Sequence, residues 1–94
     1  MRKPINVTIE KFVQHKTAQW QGIVFNDGNK RFVTTRFNCW ELTDSREAAL
    51  DTIPEIDDLP KFVGELNERY ASNPVIPVVP YDLIKQLDTM VASA

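Results

Sequence analysis

A thiol nucleophile needs a base beside it, and this chain holds one cysteine, Cys39, and one histidine, His15. The thiolate is the reactive form, so catalysis would require both a lowered thiol pKa and a partner. Nothing in the spacing brings His15 to Cys39. Flanked by Phe37 and Trp40, Cys39 reads as a small core residue. One His and one Cys cannot complete a Cys/His zinc site, and no stretch follows a calcium-loop pattern. The three glycines, Gly22, Gly28 and Gly64, lie too far apart for a phosphate-cradling loop. The acidic run Glu55, Asp57, Asp58 reads as a solvated linker and helix cap rather than a metal site. The sequence therefore points away from an enzyme and implies no cofactor.

Charge is the more informative signal. The net charge is −2, but residues 1–40 hold seven basic against two acidic residues, and residues 41–94 hold four against eleven. Such asymmetry indicates a charged partner, or else acidic helices packed beside a basic sheet whose field they neutralise. Two candidate surfaces follow. An acidic one, Asp51, Glu55, Asp57 and Asp58, would dock on a basic protein. A basic one, Lys30, Arg31 and Arg36 with Trp20, would contact nucleic acid through phosphates and base stacking.

The elements that would carry these residues start with an alternating segment, Ile5–Val13, whose adjacent Phe12 and Val13 suggest a bulge or the strand's end. Its outer edge is a potential site for pairing with a second copy. Gln19–Phe25 and Lys30–Phe37 are strands around Asn26-Asp27-Gly28-Asn29, a strong hairpin turn. In the first of them Trp20, Gly22 and Val24 share one face and Gln21, Ile23 and Phe25 the other; in the second Arg31, Val33, Thr35 and Phe37 oppose Lys30, Phe32, Thr34 and Arg36. Asn38–Leu42 either extends the third strand or makes a short fourth.

A helix of about ten residues is expected from Asp44, an N-cap with Glu47 three residues on, through Ala48, Ala49, Leu50 and Ile53 to Pro54. Asp58 caps a second helix with the stripe Leu59, Phe62, Val63, Leu66, Tyr70. Val75–Pro80 is an extended strap with two prolines, and Leu83, Ile84, Leu87, Met90 and Val91 form the last helix's stripe, followed by a short tail.

The expected fold is α+β: a three-stranded, or with the short fourth strand four-stranded, antiparallel sheet covered on one face by three short helices. Residues 1–94 form one domain, with a β-rich basic part over 1–42 and a helical acidic part over 43–94. Arg2 and Lys3 run into Pro4 and an alternating segment, so no secretory leader is read, and with one cysteine a reducing, cytoplasmic setting is expected. No apolar run is long enough for a membrane span. The expected function is a non-catalytic protein-binding module acting through an acidic helical face. Small acidic domains of this kind often serve as inhibitors or accessory subunits, phage-borne anti-defence proteins among them. The alternative is nucleic-acid binding by the basic aromatic hairpin.

Overall fold

Four strands run as an antiparallel meander: β1 (Thr8–His15), β2 (Gln21–Asn26), β3 (Arg31–Thr34) and β4 (Cys39–Glu41). One helical turn, α1 (Asp44–Glu47), then leads to β5 (Leu50–Ile53), which pairs antiparallel with the free side of β1. The sheet order is β4-β3-β2-β1-β5. Two longer helices, α2 (Leu59–Ser72) and α3 (Tyr81–Ser93), complete the chain. The computed structural model describes residues 6–72 and 81–93. The Val75–Pro80 strap lies outside the described residues.

The hairpin turn forms as its residues dictate. Gly28 takes a φ of 88°, a conformation that costs glycine nothing. Asp27 Oδ1 accepts the backbone N–H groups of Lys30 and Asn29 at 2.8 and 2.9 Å, and these bonds hold its carboxyl below the usual aspartate value.

Directly paired residues share a face, and the pairing shows where the bulge falls. Ile9 opposes Phe25, whereas Lys11 opposes Val24, so Glu10 is the extra residue. The expected irregularity at Phe12–Val13 thus lies two to three residues earlier. It reverses the alternation, so that Ile9 and Phe12 point to one side while Lys11 and Val13 point to the other.

Both faces of the sheet are buried. On one, Ile23, Phe25 and Phe32 pack with Phe62, Val63 and Leu66 of α2 and Leu83 and Leu87 of α3. Phe25 and Phe32 stack across the hairpin with centroids 5.6 Å apart. On the other, Val13, Val24, Val33 and Leu42 form a smaller cluster closed by Trp20, Trp40 and Leu50. Trp40 and Leu50 come from strands at opposite edges of the sheet, so the sheet coils over its own second core.

The α+β class holds, with corrections. The sheet has five strands rather than three or four. Leu50–Ile53, expected as the end of a helix, is an edge strand, and that helix is reduced to four residues. The helix begins after Thr43 rather than at an Asp44 cap, with no side-chain cap bond; the Thr43 hydroxyl meets that of Ser45 at 3.3 Å, and Glu47 falls one position too late to reach back and binds Arg31 instead. The edge of β1 is not open for self-pairing over Phe12–His15, because β5 occupies it. In α3, Met90 is 38% exposed and leaves the core-facing stripe, and the helix continues to Ser93 where a tail was expected. Asp58 does cap α2: its Oδ1 accepts the Lys61 N–H at 3.3 Å.

Candidate functional site

Each basic hairpin residue lies near a carboxylate of the chain itself, Arg31 and Arg36 closely and the exposed Lys30 at the limit of an ion pair. Arg31 donates to Glu47 through Nη1 and Nη2 at 3.0 and 2.8 Å, and to Glu10 through Nε and Nη2. Lys11 joins the same Glu47 at 2.9 Å. The bulge makes this cluster, since it puts Glu10 and Lys11 beside each other on the side where Arg31 emerges. Hydrogen bonds from Arg31 first, then Lys11, lower the Glu47 carboxyl to about 2. The Glu10 carboxyl is lowered too, chiefly by Arg31, whose own pKa is raised by the two carboxylates.

Lys30 and Arg36 are also engaged. Lys30 Nζ lies 3.9 Å from Glu41 Oε2. Arg36 points the other way, toward α2. Its Nε lies 3.5 Å from Glu65 Oε2, its guanidinium sits 5.5 Å above the Phe62 ring, and Nη2 donates to the Asp57 carbonyl at 3.0 Å. Lys30, Arg31 and Arg36 therefore present no shared cationic face. Arg69 of α2 reaches the same end of β3, donating to the Phe37 carbonyl at 2.8 Å.

The acidic candidates are arranged differently. Asp51 lies on β5 in register with Gln14, and Gln14 accepts from the Gln21 amide at 3.3 Å. Gln21 Oε1 in turn accepts the Asp57 N–H at 2.9 Å. This polar row links Asp51 to the loop before α2, where Glu55, Asp57 and Asp58 sit. All four residues are exposed, and among the described residues none of these four carboxylates is in an ion pair. They belong to a strand end, a loop and a helix cap, not to the helical face expected. Glu55, Asp57 and Asp58 share one groove with Phe12, Leu59 and Met90. Its lining mixes these carboxylates with apolar side chains.

Cys39 and His15 are separated by the sheet. Cys39 packs toward the helix-covered core, whereas the His15 ring lies 5.1 Å from that of Trp20 on the other side. His15 Nδ1 accepts the backbone N–H groups of Thr17 and Ala18 at 3.1 and 2.9 Å, which places the ring hydrogen on Nε2. Among the described residues, no three His, Cys, Asp or Glu side chains converge as a metal site would require. Nor is any helix among them long and apolar enough to cross a membrane.

One arrangement escaped sequence reasoning. Trp20 and Trp40 meet with centroids 5.8 Å apart at 44°, beside a cleft of about 450 Å³ lined also by His15, Val33, Arg46 and Leu50. Trp20 can lie there because Gly22 has no Cβ: a methyl at that position would stand 3.3 Å from Trp20 Cζ3. The legible signal was Trp20-Gln21-Gly22, an aromatic covering a glycine on the same strand face. Trp40 and Arg46 had no such signal, since the coiling that brings them in depends on β5.

No family model, curated protein or solved structure matches the chain.

Proposed function

We propose that this chain is a non-catalytic protein-binding module that engages a basic partner segment through Asp51, Glu55, Asp57 and Asp58. One observation carries the reading. The hairpin cations are held by carboxylates of the chain itself, while these four carboxylates hold no cation among the described residues. Unpaired carboxylates beside apolar side chains in one groove suit a partner presenting Lys or Arg around an apolar side chain. An inhibitor or accessory subunit, of which a phage-type anti-defence protein is one form, would use such a surface. The nucleic-acid alternative loses support because Lys30, Arg31 and Arg36 are individually paired and face different ways.

The test compares the native chain with Asp51→Lys/Glu55→Lys/Asp57→Lys/Asp58→Asn in parallel capture from cell lysate. Asp58 has a φ of 50° and caps α2, and Asn keeps both roles. Loss of capture with an unchanged melting temperature supports the reading; capture that survives the substitutions overturns it. A titration with mixed-sequence DNA and RNA at low and physiological salt decides the alternative. A steep salt dependence would restore it.

A further inference from the structure

We propose that the Trp20–Trp40 cleft is a second docking site, which takes an acidic peptide segment carrying one bulky apolar side chain. It lies on the sheet face opposite the helix-covered core and is separate from the acidic groove. Three observations point to this occupant.

The first is charge. Among the described residues before β5, Lys16 and Arg46 are the cations that no carboxylate holds. Arg46 lines the cleft and donates to the Glu41 carbonyl at 3.2 Å. Lys16 does not line it but is tied to the adjoining segment, its Nζ donating to the Ala48 carbonyl at 2.8 Å beside the lining residue Ala49. These backbone acceptors position the two cations without cancelling them. No carboxylate lines the cleft among the described residues.

The second is the indole donors. Trp20 and Trp40 are both only partly buried, and a partly exposed indole Nε1–H is a donor that a peptide carbonyl or carboxylate satisfies. Trp and Arg are also the residue types that dominate binding energy at protein interfaces.

The third is shape. His15, Trp20 and Trp40 follow one another at tilts of 46° and 44°, which makes a concave aromatic wall. A concave wall holds one rounded apolar group. Successive nucleobases need open, separately stacked platforms and a longer cationic track than two side chains provide.

The only two tryptophans of the chain are in this cleft, so intrinsic fluorescence reads its occupancy directly. The probe is a blocked octapeptide, Asp-Asp-Glu-Phe-Ser-Asp-Asp-Glu, titrated against the full chain beside oligodeoxythymidylate. A saturable fluorescence change is expected, weakened at least tenfold when Ser replaces the peptide's Phe. Lys16→Glu/Arg46→Glu should weaken it by a similar factor, and Lys16→Gln/Arg46→Gln by less. Both side chains are exposed, and an unchanged melting temperature verifies the fold of each variant. The substitutions at Asp51, Glu55, Asp57 and Asp58 should leave peptide binding intact, so failure of the acidic surface and failure of this cleft are read separately. No response to the peptide, a response indifferent to Lys16 and Arg46, or tighter binding of the oligonucleotide would each overturn the proposal.

Discussion

Arg31 of β3 and Glu47 of α1 form a bidentate pair, Nη1 to Oε1 at 3.0 Å and Nη2 to Oε2 at 2.8 Å. The two hydrogen bonds fix the turn that carries the chain from β4 to β5, from one edge of the sheet to the other. Planar, charge-assisted pairs of this kind are the strong members of their class. Because Glu10 and Lys11 join it, the pair is the centre of a four-residue network between the bulge and the crossover.

Replacing Arg31 with Met should remove the network's centre and leave Glu10 and Glu47 facing each other. These side chains keep between 26% and 38% of their exposure. The cost should therefore fall between that of an exposed pair and that of a buried one, at about 1–2 kcal/mol. Urea denaturation at neutral pH measures it. A change below the error of the midpoint would mean the network contributes nothing to stability.

The same network sets an acid limb to stability. Glu47 titrates near 4.5 when unperturbed and is lowered to about 2 in the fold. Above pH 4.5 the pairing contributes fully. As the pH falls from there toward about 2, the unfolded chain takes up a proton before the folded one, and the contribution is lost. Glu10 is shifted in the same direction and adds to the slope. Glu47→Gln should be less stable than the native chain at neutral pH, with the difference shrinking as the pH approaches 2. Parallel stability curves for the two proteins would contradict this origin.

Phe62 and Trp20 should separate fold from surface. Phe62 is fully buried among residues of both helices and the sheet, so Phe62→Ala should cost about 3–5 kcal/mol. Trp20 is only partly buried, and Trp20→Ala should cost about 1–2 kcal/mol, less than a full core truncation. Paired thermal and urea melts measure both. An equal loss for the two would show that the second core is as essential as the first.

The hairpin was legible because its signals are local. Asp27 and Gly28 specify the turn, and strict alternation sets Val24 against Phe25 and Val33 against Phe32 within each strand. Which faces coincide across the turn comes from the register, which pairs Val24 with Val33 and Phe25 with Phe32. The α2 stripe was legible for the same reason. β5 was not. Asp44, Glu47, Ala48 and Ala49 carry genuine helix-start and helix-forming preferences, and these continue smoothly into Leu50. What stops the helix is tertiary: the Glu47 carboxylate is taken by Arg31 and Lys11, and Leu50–Ile53 finds four register partners on β1. Propensity yields to such pairing. The acidic set was legible as composition, but the internal pairing of the basic set depended on which carboxylates the fold brings to it.

Two glycines give opposite expectations. At Gly22 an added Cβ would stand 2.8 Å from the Thr34 carbonyl oxygen and 3.2 Å from Val33 Cγ2. The carbonyl belongs to the paired strand, since Ile23 and Thr34 are in register, so relief requires β2 and β3 to separate. Gly22→Ala should therefore destabilise the fold by about 1–3 kcal/mol, the usual cost of overpacking. It should also displace the Trp20 ring, which lies 3.3 Å from the same position, and so shift tryptophan emission. Gly64 is exposed in the middle of α2, and an added Cβ meets nothing within 4 Å. Its backbone is helical, so Gly64→Ala should stabilise by about 0.5–1 kcal/mol through helix propensity and a less disordered unfolded chain. Urea midpoints for both variants check the pair. A stabilised Gly22→Ala would mean that the close approach of β3 to β2 at this position is not a constraint on the sheet.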